Sequence, residues 1–161
     1  MNTASNGKTE LIGQRQQVVM VVEDEIWIRM MISDQFRSEN FEVIECGSAD
    51  EAIELLRGKI RVSIIFSDVQ LPGSMNGLAL AQTVIDELPY RPILMLTSGE
   101  AQNLSGVRHD GFFAKPYDPG VVVKFSRSKI EQGNGPAQSS VGRYDGNAPL
   151  SGNADGASGG E

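Results

Sequence analysis

Short apolar runs alternate with amphipathic stretches through the middle of the chain, between residues 18 and 132. The apolar runs have the length of buried strands, and the stretches between them repeat their apolar residues at helical spacing. The runs that predict strands are VVMVV (18–22), FEVIEC (41–46), VSIIFS (62–67), PILMLTS (92–98) and GFFAKP (111–116). The stretches that predict helices are 26–39, 49–58, 77–88 and 120–132.

Strands that alternate with helices predict an α/β fold, a doubly wound five-stranded parallel sheet with helices on both faces. Ser48 followed by Glu51 has the spacing of a capping box, and Asp118 followed by Pro119 is typical of a helix start. The connection over 99–110 is glycine-containing and has little apolar periodicity. We therefore expect the helix between the fourth and fifth strands, helix four, to be short or irregular.

The segments on either side of this single predicted domain, 18–132, lack the pattern of a folded core. Residues 1–17 are polar and without periodicity, which predicts a disordered N-terminal arm. Residues 133–161 hold 8 of the 18 glycines and few branched apolar residues, in a Gly/Ser/Asn-rich composition. Such a segment cannot bury enough surface to offset the entropy of ordering it, so we expect a disordered tail.

The composition narrows the classes of partner and compartment. A net charge of −7 argues against direct nucleic-acid binding, which depends on neutralising phosphates. The lone cysteine, Cys46, cannot form an internal disulfide and does not favour a zinc site. The sequence shows neither a membrane-length apolar run nor a signal peptide, so we expect a cytoplasmic protein without a membrane partner.

Polar side chains stand where the predicted strands end. In a doubly wound sheet ligands bind outside the carboxyl ends of the strands, so these side chains should converge. They are Glu23 and Asp24 after the first strand, Asp68 after the third, Thr97 at the end of the fourth, and Lys115 in the fifth run. Crowded carboxylates resist ionisation unless a cation is bound, and oxygen ligands suit Mg²⁺.

A cation, an ammonium and a hydroxyl together form a cradle for a phosphoryl group, because they neutralise or bind its oxygens. A carboxylate left over in such a cradle can act as a nucleophile and form an aspartyl phosphate. Asp68 follows the central strand, so we assign it that role. Taken alone, the acids Glu23 to Glu25 would equally suit a solvated turn. Trp27 could be either a residue that packs on a helix face or an anchor for a partner protein.

Four motifs carry a family resemblance when they are taken in this order: VVEDE (21–25), SDVQLPGSMNGL (67–78), LTSG (96–99) and AKPYDP (114–119). Together they resemble the receiver domain of two-component response regulators, with its CheY-like variant of the flavodoxin-like fold. The resemblance covers about 18–131. The short 99–110 connection resembles that of stand-alone, single-domain response regulators of alphaproteobacteria.

The resemblance implies a phosphoacceptor and a metal site. Asp68 would accept a phosphoryl group from a sensor histidine kinase or a histidine phosphotransfer protein. Asp24, Asp68 and the carbonyl of Gln70 would bind Mg²⁺, with Glu23 acting through water and Mn²⁺ as an expected substitute. The chain would then be a signalling phosphoprotein and not an enzyme, although it would assist its own phosphorylation and dephosphorylation.

The resemblance also implies a switch. Thr97 and Phe112 would be the switch residues, and Lys115 would pair with the phosphoryl oxygens. The output would be contact with a downstream protein, or the domain would drain phosphate from a kinase as a sink.

Two alternatives belong to different classes of protein. A phosphorylation-independent pseudo-receiver would have lost a site residue, and none is lost here. A phosphatase with an aspartyl nucleophile needs a second acid two residues after it, where this chain has Gln70.

Overall fold

The computed structural model describes residues 16–101 and 103–133, which form a five-stranded parallel sheet between four helices. The strands are β1 (Val18–Val22), β2 (Glu42–Cys46), β3 (Ile64–Asp68), β4 (Ile93–Ser98) and β5 (Gly111–Ala114). The helices are α1 (Ile26–Ser38), α2 (Ala49–Arg57), α3 (Gly77–Glu87) and α4 (Pro119–Glu131). The predicted doubly wound parallel sheet is confirmed.

The flanking segments that we predict to be disordered lie outside the described residues, apart from residues 16, 17 and 133, so those predictions stay open. No helix in the described part of the chain is both long and apolar enough to cross a membrane.

The strand order β2-β1-β3-β4-β5 places the two halves of the sheet on either side of β1 and β3. The chain leaves β1 towards β2 and later continues from β3 towards β5, so the winding direction changes between β1 and β3. Such a switch point opens a crevice at the carboxyl ends of the two strands. Val22 pairs with Ser67 and Asp68 pairs with Thr97, which aligns the ends of three strands at this crevice.

Two apolar cores lie on opposite faces of the sheet, because successive side chains of a strand point to opposite sides. On one face Met20, Ile65 and Leu94 pack with α2 and α3. On the other, Val21 and Ile64 pack with α1 and α4. Every residue of β3 and β4 is buried, which explains why their sequences are almost continuously apolar.

Side-chain caps fix where α2, α3 and α4 begin, whereas α1 has no side-chain cap. Ser48 Oγ accepts a hydrogen bond from the Glu51 amide, and the Glu51 carboxylate accepts one from the Gly47 amide, much as the capping-box spacing predicts. Asp118 caps α4 through the Gly120 amide, as predicted. Asn76 caps α3 through the amide of Ala79 at 2.9 Å, a cap that the sequence analysis does not identify.

The connection between β4 and β5 is irregular, as expected. Its described residues, 99–101 and 103–110, contain a turn and no helix, so α4 is the helix that follows β5. Leu104 and Val107 nevertheless pack against the core on the α2 and α3 face. The Asp110 carboxylate accepts a hydrogen bond from the Leu94 amide, which joins the connection to β4.

We predict that Gly77→Ala destabilises the protein by about 1–3 kcal/mol or more, because added atoms in a close contact force the backbone apart. A Cβ at Gly77 would lie 2.0 Å from the carbonyl oxygen of Asp68. Urea unfolding measures the loss. Gly99→Ala is the matched control, since a Cβ at Gly99 meets nothing within 4 Å. Equal stability of both variants would contradict the prediction.

Candidate functional site

Three carboxylates converge at the crevice, as the sequence predicts. Glu23 and Asp24 follow β1, Asp68 is the last residue of β3, and one carboxylate oxygen from each lies within 4.8 Å of the others. We call these three residues the acidic cluster. Glu23 is 2% exposed and Asp68 4%, whereas Asp24 is open to solvent. Two of the three negative charges are therefore removed from water.

Lys115, which directly follows the edge strand β5, contacts the acidic cluster. Its Nζ lies 2.6 Å from Asp68 Oδ2, 2.8 Å from Glu23 Oε2 and 3.9 Å from Glu25 Oε1. Its backbone amide donates to the Ser98 carbonyl, which fixes the chain just after β5. Burial lowers the pKa of Lys115, but its hydrogen bonds to Asp68 and Glu23 outweigh burial and raise the pKa above its usual value. The side chain therefore stays an ammonium.

The Asp68 side chain is held through both oxygens. Oδ2 accepts from Lys115, and Oδ1 accepts from the backbone amide of Gln70 at 3.0 Å. The backbone of Gln70 therefore lies beside the cluster, where the prediction places its carbonyl as a metal ligand. That ligand role stays a prediction.

Glu23 is the electrostatically unfavourable member of the cluster. Burial raises its pKa, and the charge of Asp68 raises it further, against the lowering effect of Lys115. Glu23 Oε1 accepts from the Glu25 amide at 3.2 Å, whereas Oε2 depends on the Lys115 ammonium. A divalent cation would relieve this penalty. The cluster offers only oxygen donors, so its residues fit Mg²⁺ or Mn²⁺.

The two predicted switch residues, Thr97 of β4 and Phe112 of β5, make their side-chain hydrogen-bond and apolar contacts outside the acidic cluster. Thr97 is fully buried beside Asp68, and its Oγ1 donates to the Phe113 carbonyl of β5 at 2.7 Å. Phe112 is half-buried and packs on the α2 and α3 face of the sheet. Their roles as switch residues stay predictions.

Arg29 braces the loop that carries two of the carboxylates, and the sequence analysis does not single it out. Its Nη1 donates to the Glu23 carbonyl at 2.5 Å and to the Asp24 carbonyl at 3.5 Å. Its Nε forms an ion pair with Glu45 of β2 at 3.5 Å. The sequence could have indicated this role, because Arg29 lies about one helical turn after the start of α1, from where a long side chain can reach the preceding loop.

The loop that follows Asp68 is tied to α2 by a second contact that sequence reasoning missed. The backbone amide and hydroxyl of Ser74 both donate to the Asp50 carboxylate. Gly73 has a φ of +105°, and a Cβ there would lie 2.5 Å from Asp50 Oδ2. The glycine therefore lets the loop approach α2. Asp50 and Ser74 are 24 residues apart, so no local pattern could indicate their pairing.

Comparisons with known proteins agree on one family. The response regulator receiver domain matches residues 19–126. Regulatory protein VanR of Enterococcus faecium is 30% identical over 118 residues, which cover 71% of this chain and 50% of VanR. Two-component response regulator ARR11 of Arabidopsis thaliana is 35% identical over 95 residues, 58% of this chain and 18% of ARR11. This chain thus matches half or less of these curated relatives.

Solved structures show the same fold. Chemotaxis response regulator CheY4 of Vibrio cholerae superposes with a TM-score of 0.60 at 24% identity, over 73% of this chain and 98% of CheY4. A CheY-like receiver domain protein of Methanospirillum hungatei gives a TM-score of 0.68 at 18% identity, over 74% and 97% of the two chains. At these identities the likeness shows the fold alone, and it confirms the predicted CheY-like arrangement.

We predict that Glu23→Gln stabilises the protein at neutral pH without divalent cations. The folded-state pKa of Glu23 is raised above 4.5, so the folded state binds more protons in the window just above that value. Stability of the wild type should fall as pH rises through this window, and the variant should lose that dependence. Urea unfolding between pH 4.5 and 7.5 measures both effects.

Added Mg²⁺ should then raise the unfolding midpoint of the wild type more than that of Glu23→Gln, because the variant has one fewer negative charge. Glu54→Gln, which removes an exposed carboxylate on α2, is the control and should follow the wild type. A variant less stable than the wild type in metal-free buffer would contradict the prediction.

Proposed function

The chain belongs to the response regulator receiver domain family, and we propose that it accepts a phosphoryl group on Asp68 from a phosphohistidine. The donor would be a sensor histidine kinase or a histidine phosphotransfer protein of a two-component system. The observation that carries the proposal is the contact of Lys115 with Asp68 at 2.6 Å inside the acidic cluster. A carboxylate, an ammonium and a set of oxygen donors for a metal meet at one point.

The transfer exchanges one bond to phosphorus for another. An Asp68 carboxylate oxygen attacks the phosphorus, the N–P bond of the phosphohistidine breaks, and the imidazole nitrogen keeps the electron pair and takes up a proton. Lys115 neutralises charge on the transferring oxygens. Mg²⁺ or Mn²⁺, held by Glu23, Asp24, Asp68 and the Gln70 carbonyl, would supply further positive charge. The Gln70 amide keeps Asp68 oriented.

The residue two positions after Asp68 supports a protein that does not hydrolyse a separate substrate. A phosphatase would need an acid two residues after the nucleophile to protonate its leaving group, and Gln70 stands there. We therefore propose a signalling phosphoprotein that assists only its own phosphorylation and dephosphorylation. A phosphorylation-independent pseudo-receiver is the alternative that the first experiment below separates from it.

An exposed apolar surface beside the cluster suits the protein partner. Its exposed fractions are 54% for Ile26, 78% for Trp27, 43% for Met30 and 46% for Met31. We call these four residues the α1 patch. Trp27 thus does not pack into the core, which supports the anchor interpretation over the packing one. Large exposed apolar side chains grouped together mark interaction sites, and this group begins two residues after Asp24.

We propose that phosphorylation is reported through protein contact, with Thr97 and Phe112 as the switch, or that the domain acts as a phosphate sink. The acidic charge of the sequence disfavours direct binding to DNA. We propose further that the chain acts as a stand-alone regulator, similar to those of alphaproteobacteria, and that it acts in the cytoplasm. The irregular backbone of the described residues between β4 and β5 supports the first of these two proposals.

We predict that acetyl phosphate adds one phosphoryl group to the full chain in the presence of Mg²⁺, and that Asp68→Asn abolishes the addition. Intact mass measured soon after mixing detects the labile product. Asp86→Asn is the matched control, because Asp86 is exposed on α3 and bonds only to Gln82 among the described contacts. No addition to the wild type, with Mg²⁺ binding intact, would favour the pseudo-receiver.

We further predict that Trp27→Ser combined with Met31→Ser slows phosphotransfer from a phosphorylated histidine kinase by roughly tenfold or more, as loss of interface anchors does. A kinase panel screened with the wild type supplies the donor. Phosphorylation by acetyl phosphate should be unchanged, because this donor needs no docking surface. Equal loss with both donors would mean that the substitutions damage the site itself.

A further inference from the structure

A cavity of about 280 Å³ lies beside the end of α3 and the amino end of β4, whereas the acidic cluster lies at the carboxyl ends of the strands. Its apolar lining comes from Val84, Ile85 and Leu88, at the end of α3, and from Leu94 of β4. We call this space the α3 cavity. Binding sites for small molecules are mostly apolar concavities of roughly 300–1,000 Å³ with a few polar groups. The α3 cavity is close to the lower end of that range, so it suits a small ligand.

Two arginines also line the α3 cavity, and both have hydrogen-bond donors to spare. Arg91 Nη2 pairs with Asp110 at 2.9 Å, but Arg91 Nε is buried and has no hydrogen-bond partner in the described part of the chain. Arg108 is exposed and forms no ion pair with any other described residue. An unpaired buried donor costs free energy, and a ligand oxygen that reached Arg91 would remove that cost.

The aromatic residue of the lining is held in place before any ligand binds. The Tyr90 hydroxyl accepts from the Val62 amide at 3.2 Å and donates to the Ile60 carbonyl at 3.3 Å. The guanidinium of Arg61 lies over its ring, 4.6 Å from the centroid, and brings a third arginine next to the cavity. A wall that is already ordered lowers the entropy cost of binding.

The charges around the α3 cavity favour an anion. Among the described residues that line it there are two arginines and no acidic residue, although the chain as a whole carries a net charge of −7. A guanidinium offers a planar fork of N–H donors that matches the two oxygens of a carboxylate. Apolar walls and arginines together therefore suit a ligand that has a carboxylate at one end and an apolar body at the other.

We propose that the α3 cavity binds a small organic acid, whose carboxylate is held by Arg91 and Arg108 and whose apolar body packs against the end of α3. Arg108 belongs to the connection between β4 and β5, so the bound acid would join this connection to α3. The proposed site uses neither Asp68 nor the acidic cluster. It therefore stands or falls independently of the proposed phosphorylation.

The test titrates the full chain with phenylbutyrate and follows the backbone signals by heteronuclear NMR. Phenylbutyramide is the matched control ligand, because it has nearly the same shape and no charge. Phenylbutyrate should shift the signals of Leu94, Arg108 and Asp110, and phenylbutyramide should bind roughly tenfold more weakly or worse, as the loss of charge-assisted hydrogen bonds implies. Acetate, which has the charge without the apolar body, should cause no comparable shifts at the same concentration.

Substitutions of Arg108 test its role in holding the carboxylate. Arg108→Gln should weaken phenylbutyrate binding by roughly fivefold or more, and Arg108→Lys, which keeps the charge, should weaken it less. Lys124→Gln is the matched control and should bind phenylbutyrate like the wild type. It also removes one exposed positive charge, but it lies on α4, which packs on the opposite face of the sheet. Because Arg108 is exposed, we expect the Arg108 variants to fold, and their unfolding midpoints check this.

Several results would overturn the inference while leaving the proposed function intact. Equal affinity for phenylbutyrate and phenylbutyramide would show that the arginines do not select a carboxylate. Shifts confined to residues away from the α3 cavity, or no shifts at millimolar phenylbutyrate, would show that the cavity is not a site for such acids. An aspartate-rich peptide that shifts the signals around the cavity where phenylbutyrate does not would assign the cavity to a protein partner instead.

Discussion

The contact of one ammonium with two buried carboxylates is the interaction on which the site depends. Lys115 at the end of β5 reaches across β4 to Asp68 on β3 and to Glu23 after β1. A single positive charge balances only one of the two buried negative charges, and burial raises the pKa of Glu23 accordingly. The cluster is therefore held together by Lys115 and still has a deficit of positive charge, which is the condition that favours binding of a divalent cation.

The backbone around this interaction is held by short contacts and hydrogen bonds of main-chain atoms. Gly77 lets the start of α3 touch the Asp68 carbonyl, and the Gln70 amide holds the Asp68 carboxylate. Arg29 donates a hydrogen bond to the backbone carbonyl of Glu23. The connection between β4 and β5 differs, because no helix forms in its described residues, and it is held to the core by the apolar side chains of Leu104 and Val107 and by the hydrogen bonds of Asp110 to Leu94. A rigid site thus adjoins a segment with few anchoring contacts, the kind that changes conformation at low cost.

Periodicity was sufficient to predict the elements, and the topology of parallel sheets was sufficient to predict that Glu23, Asp68 and Lys115 meet. Carboxyl ends of parallel strands share one edge, so this convergence follows without any side-chain detail. The pairing of Asp50 with Ser74 and the meeting of Arg91 with Arg108 at the α3 cavity could not be predicted in this way. Both depend on rotamers and on contacts between distant residues, for which a single sequence has no periodic signal.

Phosphorylation of Asp68 would change the hydrogen-bond partners of two groups beside it, Lys115 and Thr97. Lys115 is bound to Glu23, and the Thr97 hydroxyl donates to the Phe113 carbonyl at 2.7 Å. The single proton of the Thr97 hydroxyl must leave the Phe113 carbonyl to reach a phosphoryl oxygen, and the Lys115 ammonium must reorient towards it. A hydrogen bond that is lost without replacement costs roughly 1–3 kcal/mol. Lys115 directly follows β5 and the Phe113 carbonyl belongs to β5. Both changes of hydrogen-bond partner would therefore act on the position of this strand. A phosphoryl group that stabilises the exchanged arrangement would therefore shift the population of β5 and its flanking connection together.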